Sequence, residues 1–133
     1  MATTAITCEL LTLNARSADL DPVNGGGSGN GIVATTPTDG WAISPPSGRQ
    51  FGATLRLTLG VDASGDTFTL TAGDRYPAQR ADLGNATVVL AASDVRYVDI
   101  ETARFLQNDG TIVVTCVDTG STLTAIMGAL GKD

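Results

Sequence analysis

Residues 53-ATLRLTLGVDASGDTFTLTA-72 decide the fold class, because they contain two runs in which apolar and polar residues alternate. The first run alternates leucines with Thr and Arg, and the second alternates Phe68 and Leu70 with Thr. A period of two residues is typical of a half-buried β-strand. Residues 62-DASG-65 between the runs favour a tight turn. We therefore predict two strands joined as a β-hairpin.

The same composition recurs along the chain, punctuated by 16 Gly and five Pro. We predict further strands at residues 5–14, 31–35, 86–92, 110–117 and 121–129, the last two forming a second hairpin across 118-DTG-120. Weak helical patterns occur only at 98–106 and at the end of the chain, neither exceeding one turn. Short strands at this spacing predict a single all-β domain over 1–133, an antiparallel β-sandwich or barrel-like fold of about seven to nine strands.

Size and charge limit the classes of partner. The chain has 133 residues, a net charge of −6 and 17% charged residues, with a single Lys beside seven Arg. Nucleic acid is not expected as a ligand, because phosphate binding needs a surplus of positive charge on one face. No apolar run approaches membrane-spanning length and the N-terminus lacks the pattern of a secretion signal, so we expect folding in the cytoplasm and no membrane partner.

Cysteine and carboxylate patterns do not indicate a metal site. Cys8 and Cys116 lie 108 residues apart in no metal-ligand spacing, and the chain contains no His. Two buried thiols are favoured over a disulfide in a cytoplasmic protein. Asp62, Ser64 and Asp66 alternate around a turn as calcium ligands do, but the same residue types are what a turn prefers. We expect no metal and no cofactor.

Catalysis has no clear candidate in this sequence. Asp99 and Glu101 share one side of a strand and could serve as the acid and base of a glycosidase, but two exposed acids that oppose Arg96 or Arg104 explain them better. Triad chemistry lacks a His, and the Gly-rich segment 21–31 lacks the ending of a phosphate-binding loop. We therefore predict that the protein is not an enzyme.

Three segments are candidates for contact, and two of them, residues 21–31 and 73–84, lack the alternation of the strands. Residues 1–7 are uncharged and Thr-rich, and we interpret them as an N-terminal arm free to add to a sheet edge. Residues 21–31 are predicted to be a mobile Gly-rich loop. Loop 73-GDRYPAQRADLG-84 carries two Arg and a Tyr suited to an interface, although its own two Asp residues offer internal pairing. Trp41 fits a partner anchor and a core position equally well.

The stretch 94-DVRYVDIETARFLQNDGTIVV-114, preceded by 72-AGDRYPAQRADLGNATVVLAASD-94, resembles the capsid decoration, or cement, proteins of tailed bacteriophages. The likeness is a loose framework over nearly the whole chain and includes no catalytic motif. Within residues 94–109 we expect a folded connection, with Tyr97 and Val98 packing inward and Phe105 closing the end of the sandwich. Its arginines are expected to pair with Glu101, and 108-NDG-110 to turn into the next strand.

The resemblance implies a virion protein on the capsid surface, assembled in the host cytoplasm. Its partner would be the major capsid protein, with subunits grouped as homotrimers at local threefold positions. A phage tail or fibre module and a carbohydrate-binding β-sandwich are the alternatives. The residues expected to contact a partner are Ala2, Thr3, Thr4, Trp41, Arg75, Tyr76, Arg80, Arg96 and Arg104.

Overall fold

A computed structural model describes residues 3–10, 32–34, 36–45, 54–73 and 84–127 of the chain. These residues form ten strands and one short helix. The strands are β1 (Thr4–Thr7), β2 (Glu9–Leu10), β3 (Ile32–Val33), β4 (Trp41–Ser44), β5 (Thr54–Gly60), β6 (Asp66–Leu70), β7 (Ala86–Leu90), β8 (Val95–Glu101), β9 (Ile112–Thr115) and β10 (Thr122–Met127). Helix α1 (Thr102–Phe105) lies between β8 and β9.

The strands form two sheets, so the predicted all-β, sandwich-like domain is confirmed. The first sheet has the order β1-β4-β9-β6-β7; in the second, β2 and β3 lie along one side of β10, followed by β5 and β8. The barrel alternative is wrong, since the sheets do not close. The sheets are also not purely antiparallel, because β1 pairs with β4 and β2 with β10 in parallel. The strand count exceeds the predicted seven to nine.

Both predicted hairpins are wrong. Strand β5 pairs with β8 and β10 in the second sheet, whereas β6 pairs with β7 and β9 in the first. The turn at residues 62–65 therefore carries the chain from one sheet to the other. The turn at 118–120 does the same between β9 and β10. Strands β5 and β6, and likewise β9 and β10, thus lie in opposite sheets on the two sides of the core instead of side by side.

The core fills the space between the sheets with the inward residues of each alternating strand. In the first sheet, Trp41 and Phe68 are fully buried with ring centroids 6.1 Å apart. The facing side of β5 contributes three fully buried leucines, and β10 adds Leu123, Ala125 and Met127. Trp41 is thus a core residue, and its predicted role as a partner anchor is wrong. Burial of its large apolar ring against the opposite sheet stabilises the fold.

The N-terminal arm is also corrected by the strand pairing. Thr4–Thr7 is β1, paired over its whole length with β4 of the same chain, so this segment is an integral strand and not a free arm. Thr3 is exposed and Thr4 is partly buried. Several predicted features lie outside the described residues: Ala2, the loop at 21–31, and Arg75, Tyr76 and Arg80 of loop 73–84.

Residues 94–109 combine a strand, a single helical turn and a second turn. Seven of these sixteen residues form β8, so the first half of the stretch is a strand of the second sheet and not a connection. Helix α1 is one turn long, as predicted, and Phe105 is buried at 4% exposure where the sandwich ends. The backbone of Gly73 lies close to this turn. An added Cβ at Gly73 would be only 2.5 Å from the carbonyl oxygen of Leu106. The turn at 108–110 precedes β9 as expected.

Candidate protein-binding surface

Strand β8 is the outermost strand of the second sheet and is unusually exposed. In the described part of the chain it pairs only with β5, which leaves its other edge open. Five of its seven residues are exposed, among them Val95 at 56% and Tyr97 at 69%. An open edge offers backbone donors and acceptors to an added strand, and exposed apolar side chains provide contact area. These features make β8 the leading candidate for protein contact.

Three side chains, those of Arg56, Tyr97 and Asp99, form a cluster on the outer face beside this edge. The Arg56 guanidinium donates from Nε to Asp99 Oδ1 at 2.8 Å and from Nη2 to Asp99 Oδ2 at 3.0 Å. The same guanidinium lies 5.4 Å from the centre of the Tyr97 ring. The hydrogen bonds from Arg56 hold the pKa of Asp99 below its ordinary value. We call Arg56, Val95, Tyr97 and Asp99 the β8 surface; its ion pair fixes the guanidinium beside the tyrosine ring.

A groove of about 310 Å³ opens beside the β8 surface, between β7 and β8, which are the outermost described strands of the two sheets. Its walls are apolar, and Phe105 and Leu70 are among the residues that line it. Glu101 and Arg104 also line it, alongside Asp99 of the β8 surface. An apolar trough with a few charges, flanked by two open strand edges, matches the way extended peptide segments are held by sheets. The groove and the β8 surface thus form one continuous region.

Two of the predicted contact residues lie close to this region. The Arg96 side chain is 66% exposed, with its Nη2 3.5 Å from Asp94 Oδ2. This places Arg96 with Asp94 and not with Glu101. Arg104 is partly buried: its guanidinium carbon lies 4.9 Å from the centre of the Phe105 ring, and Nη2 donates to the Gly84 carbonyl oxygen at 3.5 Å. Arg104 therefore acts partly as a brace between α1 and the start of β7.

Tyr97 points away from the core, so its predicted inward packing is wrong. It was expected to pack inward together with Val98, but neighbouring residues of a strand point to opposite faces. Val98 lies opposite Leu57 and packs against the core, so Tyr97 must point outward. The strand register agrees, because Tyr97 lies opposite Thr58, a residue on the polar side of its own alternating strand.

The opposite end of the sandwich is held by a buried carboxylate. Asp66, 8% exposed, accepts hydrogen bonds from the backbone N–H groups of Thr67, Val117 and Asp118 and from Ser121 Oγ, at 2.6 to 3.2 Å. Burial raises the pKa of Asp66, but these four hydrogen bonds outweigh it and the pKa is lowered overall. The carboxylate thereby ties the β9–β10 crossover to the first residues of β6, which is a structural role.

Metal binding finds no support around this carboxylate. Asp62 accepts hydrogen bonds from the N–H and hydroxyl groups of Ser64, as the turn interpretation requires. Within the described ranges no three His, Cys, Asp or Glu side chains are grouped so as to hold a metal ion.

Among the residues that the structure describes, no helix is long and apolar enough to cross a membrane.

Both cysteines are buried thiols and do not form a disulfide, as predicted, and the pKa of Cys116 is strongly raised. Burial, followed by the negative charge of nearby Asp66, raises the pKa of Cys116 to about 12. Because the thiolate is the reactive form, we expect the folded protein to resist alkylation at pH 8. In guanidinium chloride both thiols should react with 5,5′-dithiobis(2-nitrobenzoic acid). If Cys116 reacts fast without denaturant, as located by peptide mapping, this burial is contradicted.

Comparison with known proteins adds no further assignment: no protein-family model, curated protein or solved structure matches the chain.

Proposed function

We propose that this protein is a structural component of a tailed-bacteriophage head, a capsid decoration protein that binds the major capsid protein from outside. The observation that supports this most directly is the open β8 strand with exposed Val95 and Tyr97. This strand lies inside the stretch 94–114 whose sequence resembles decoration proteins. An extended segment of the capsid protein would add to the β8 edge and place apolar side chains in the adjoining groove.

The proposal extends to subunit number and location. Decoration subunits would group as homotrimers at local threefold positions, so that several weak β8 contacts act together on one capsid. The protein would need no cofactor and no catalytic group for this role. Binding through several copies also suits a contact of modest size, because linked sites gain affinity without new contacts.

The alternatives differ in what the exposed surface recognises. A carbohydrate-binding sandwich requires exposed aromatic rings for stacking, but Trp41, Phe68 and Phe105 are buried. Tyr97 is the one exposed aromatic residue in the described ranges. A tail or fibre module would use the same β8 surface on a different virion part. It therefore remains the second candidate.

Capsid binding should depend on the ring of Tyr97. We expect Tyr97→Ala to weaken binding to capsids that lack this protein by roughly tenfold or more, because an exposed aromatic on an open edge is a typical hot spot. Melting should change little, since Tyr97 is 69% exposed. Occupancy can be measured by co-sedimentation with such capsids.

Tyr97→Phe is the matched control, because it keeps the ring and its contact with the Arg56 guanidinium and removes only the hydroxyl. It should bind almost like the wild type. Equal binding by all three proteins would refute a role for the β8 surface. Binding of the wild type to tail tubes and not to capsids would replace the head proposal with the tail module.

A further inference from the structure

The outer face of the first sheet differs from the rest of the molecule in charge. Its described strand residues are all Ala, Ser, Thr or Val, and we call them the uncharged face: Ala5, Ala42, Ser44, Thr67, Thr69, Thr87, Val89, Val113 and Thr115. The outer face of the second sheet, by contrast, carries Arg56, Asp99 and Glu101. In a chain of net charge −6, a five-stranded face whose described strand residues carry no charge is a distinct surface.

Strand register arranges the polar part of this face as a row of hydroxyls. Thr69 of β6 lies opposite Thr87 of β7 on one side and Thr115 of β9 on the other. Residues directly opposite each other have Cβ atoms about 5 Å apart, so the three threonines form a continuous line across the sheet. A hydroxyl group both donates and accepts hydrogen bonds. Such a row is therefore complementary to a second copy of itself.

A depression lined by both polar and apolar residues adjoins this row at one corner of the sheet. Val89 and Val117, which are 75% and 67% exposed, line it together with polar residues that include Thr67 and Asp118. Covering exposed apolar side chains such as these with a partner is favourable, because it removes apolar surface from water. The corner thus adds apolar contact area to a face whose centre offers only hydroxyl and methyl groups.

We infer that the uncharged face is the surface through which copies of this chain associate. Two identical subunits of charge −6 repel each other, so their contact is least costly where neither presents a charge. A partner of opposite charge would instead be drawn to the carboxylates elsewhere on the molecule. The hydroxyl row and the valine corner supply self-complementary contacts. The inference names the surface behind the proposed trimer and rests on that proposal only for the number of copies.

The test is the concentration dependence of the molar mass of the full chain, measured by sedimentation equilibrium without capsids. Thr69→Glu should weaken association by about tenfold or more, because like charges would be brought together at the contact. The matched control is Thr58→Glu, which places the same charge at a half-buried Thr on a central strand of the other sheet. Thr58→Glu should associate like the wild type.

Each outcome bears on the inference. A wild-type protein that stays monomeric at all concentrations overturns it, as does equal weakening by the two variants or by neither. If Thr69→Glu fails to fold by circular dichroism, Thr87→Glu takes its place, since Thr87 is exposed on an outer strand. Loss of capsid binding by Tyr97→Ala with unchanged self-association would separate the β8 surface from the uncharged face. Failure of capsid binding by the wild type would leave the association result intact.

Discussion

Replacing Gly40 with Ala is expected to lower the free energy of unfolding by about 3–5 kcal/mol, a large part of the total stability of a domain this size. Gly40 has a φ of +67°, which costs an L-residue roughly 1 kcal/mol or more. An added Cβ would also overlap the carbonyl oxygen of Val114 and lie 2.7 Å from the Cα of Thr115. Both obstacles are backbone atoms, so no side-chain rotation relieves them.

The consequences of this overlap extend through the first sheet. Gly40 is the last residue before β4, its N–H donates to the Thr36 carbonyl oxygen at 2.9 Å, and its own carbonyl oxygen accepts from Thr4 at 2.9 Å. Moving the Gly40 backbone away from β9 would disturb both the turn before β4 and the pairing of β1. Trp41, the next residue, would shift within a tightly packed core.

Gly84→Ala is the matched control for this prediction. Gly84 has the same φ of +67°, but a Cβ there would meet no atom within 4 Å. It should therefore lose only about 1 kcal/mol, the cost of the backbone conformation itself. Urea denaturation of both variants gives the comparison. Equal losses at the two positions would show that the close approach of Gly40 to β9 has no energetic weight.

The alternation of apolar and polar residues predicted most of the strands but not their partners. Strands β5 and β6 were recognised because each buries one face. The short turn between them fits a hairpin and a crossing between sheets equally well, and the alternation of a strand does not state which sheet it joins. Partner choice depends on contacts between residues far apart in the sequence, such as Thr58 with Thr124. No local pattern encodes such pairs.

The candidate surface was harder to predict than the fold. The register of β8 places Arg96 on its inward side, opposite the buried Leu59, although the Arg96 side chain is 66% exposed. That charge breaks the expected alternation and hides the outward direction of Tyr97. Contact residues were sought in segments of unusual composition, whereas the threonine row of the uncharged face has an ordinary composition. It becomes visible only when the register of three strands is known.

Asp66 is the second position where a single substitution should have a large effect. In sequence it is one more acidic residue after a turn, considered only as a calcium ligand. In the fold its buried carboxylate accepts four hydrogen bonds, three of them from backbone N–H groups. Removing the acceptor with Asp66→Ala leaves these buried donors without partners. We expect a loss of about 3–5 kcal/mol in the free energy of unfolding, measured by urea denaturation.

The pH dependence of stability gives a sharper test of the same carboxylate. The pKa of Asp66 is lowered in the folded protein, so ionised Asp66 stabilises the fold. This contribution is fully present above the unfolded pKa of about 3.9 and is lost as the pH falls through the lower, folded value. Wild-type stability should therefore decrease with acidification below about pH 4. Asp66→Asn, which cannot ionise, should be less stable at neutral pH and should lose less on acidification.

Asp109→Asn is the control that separates a buried carboxylate from an exposed one. Asp109 also accepts two hydrogen bonds, from the N–H and hydroxyl groups of Thr111, and these lower its pKa. Its turn is exposed, so water can replace the lost bonds and the stability should change much less. The Asp66 assignment predicts that the stability difference between wild type and Asp66→Asn narrows as the pH is lowered. A difference that stays constant from neutral to acidic pH would mean that the Asp66 carboxylate is not the ionised anchor of the β9–β10 crossover.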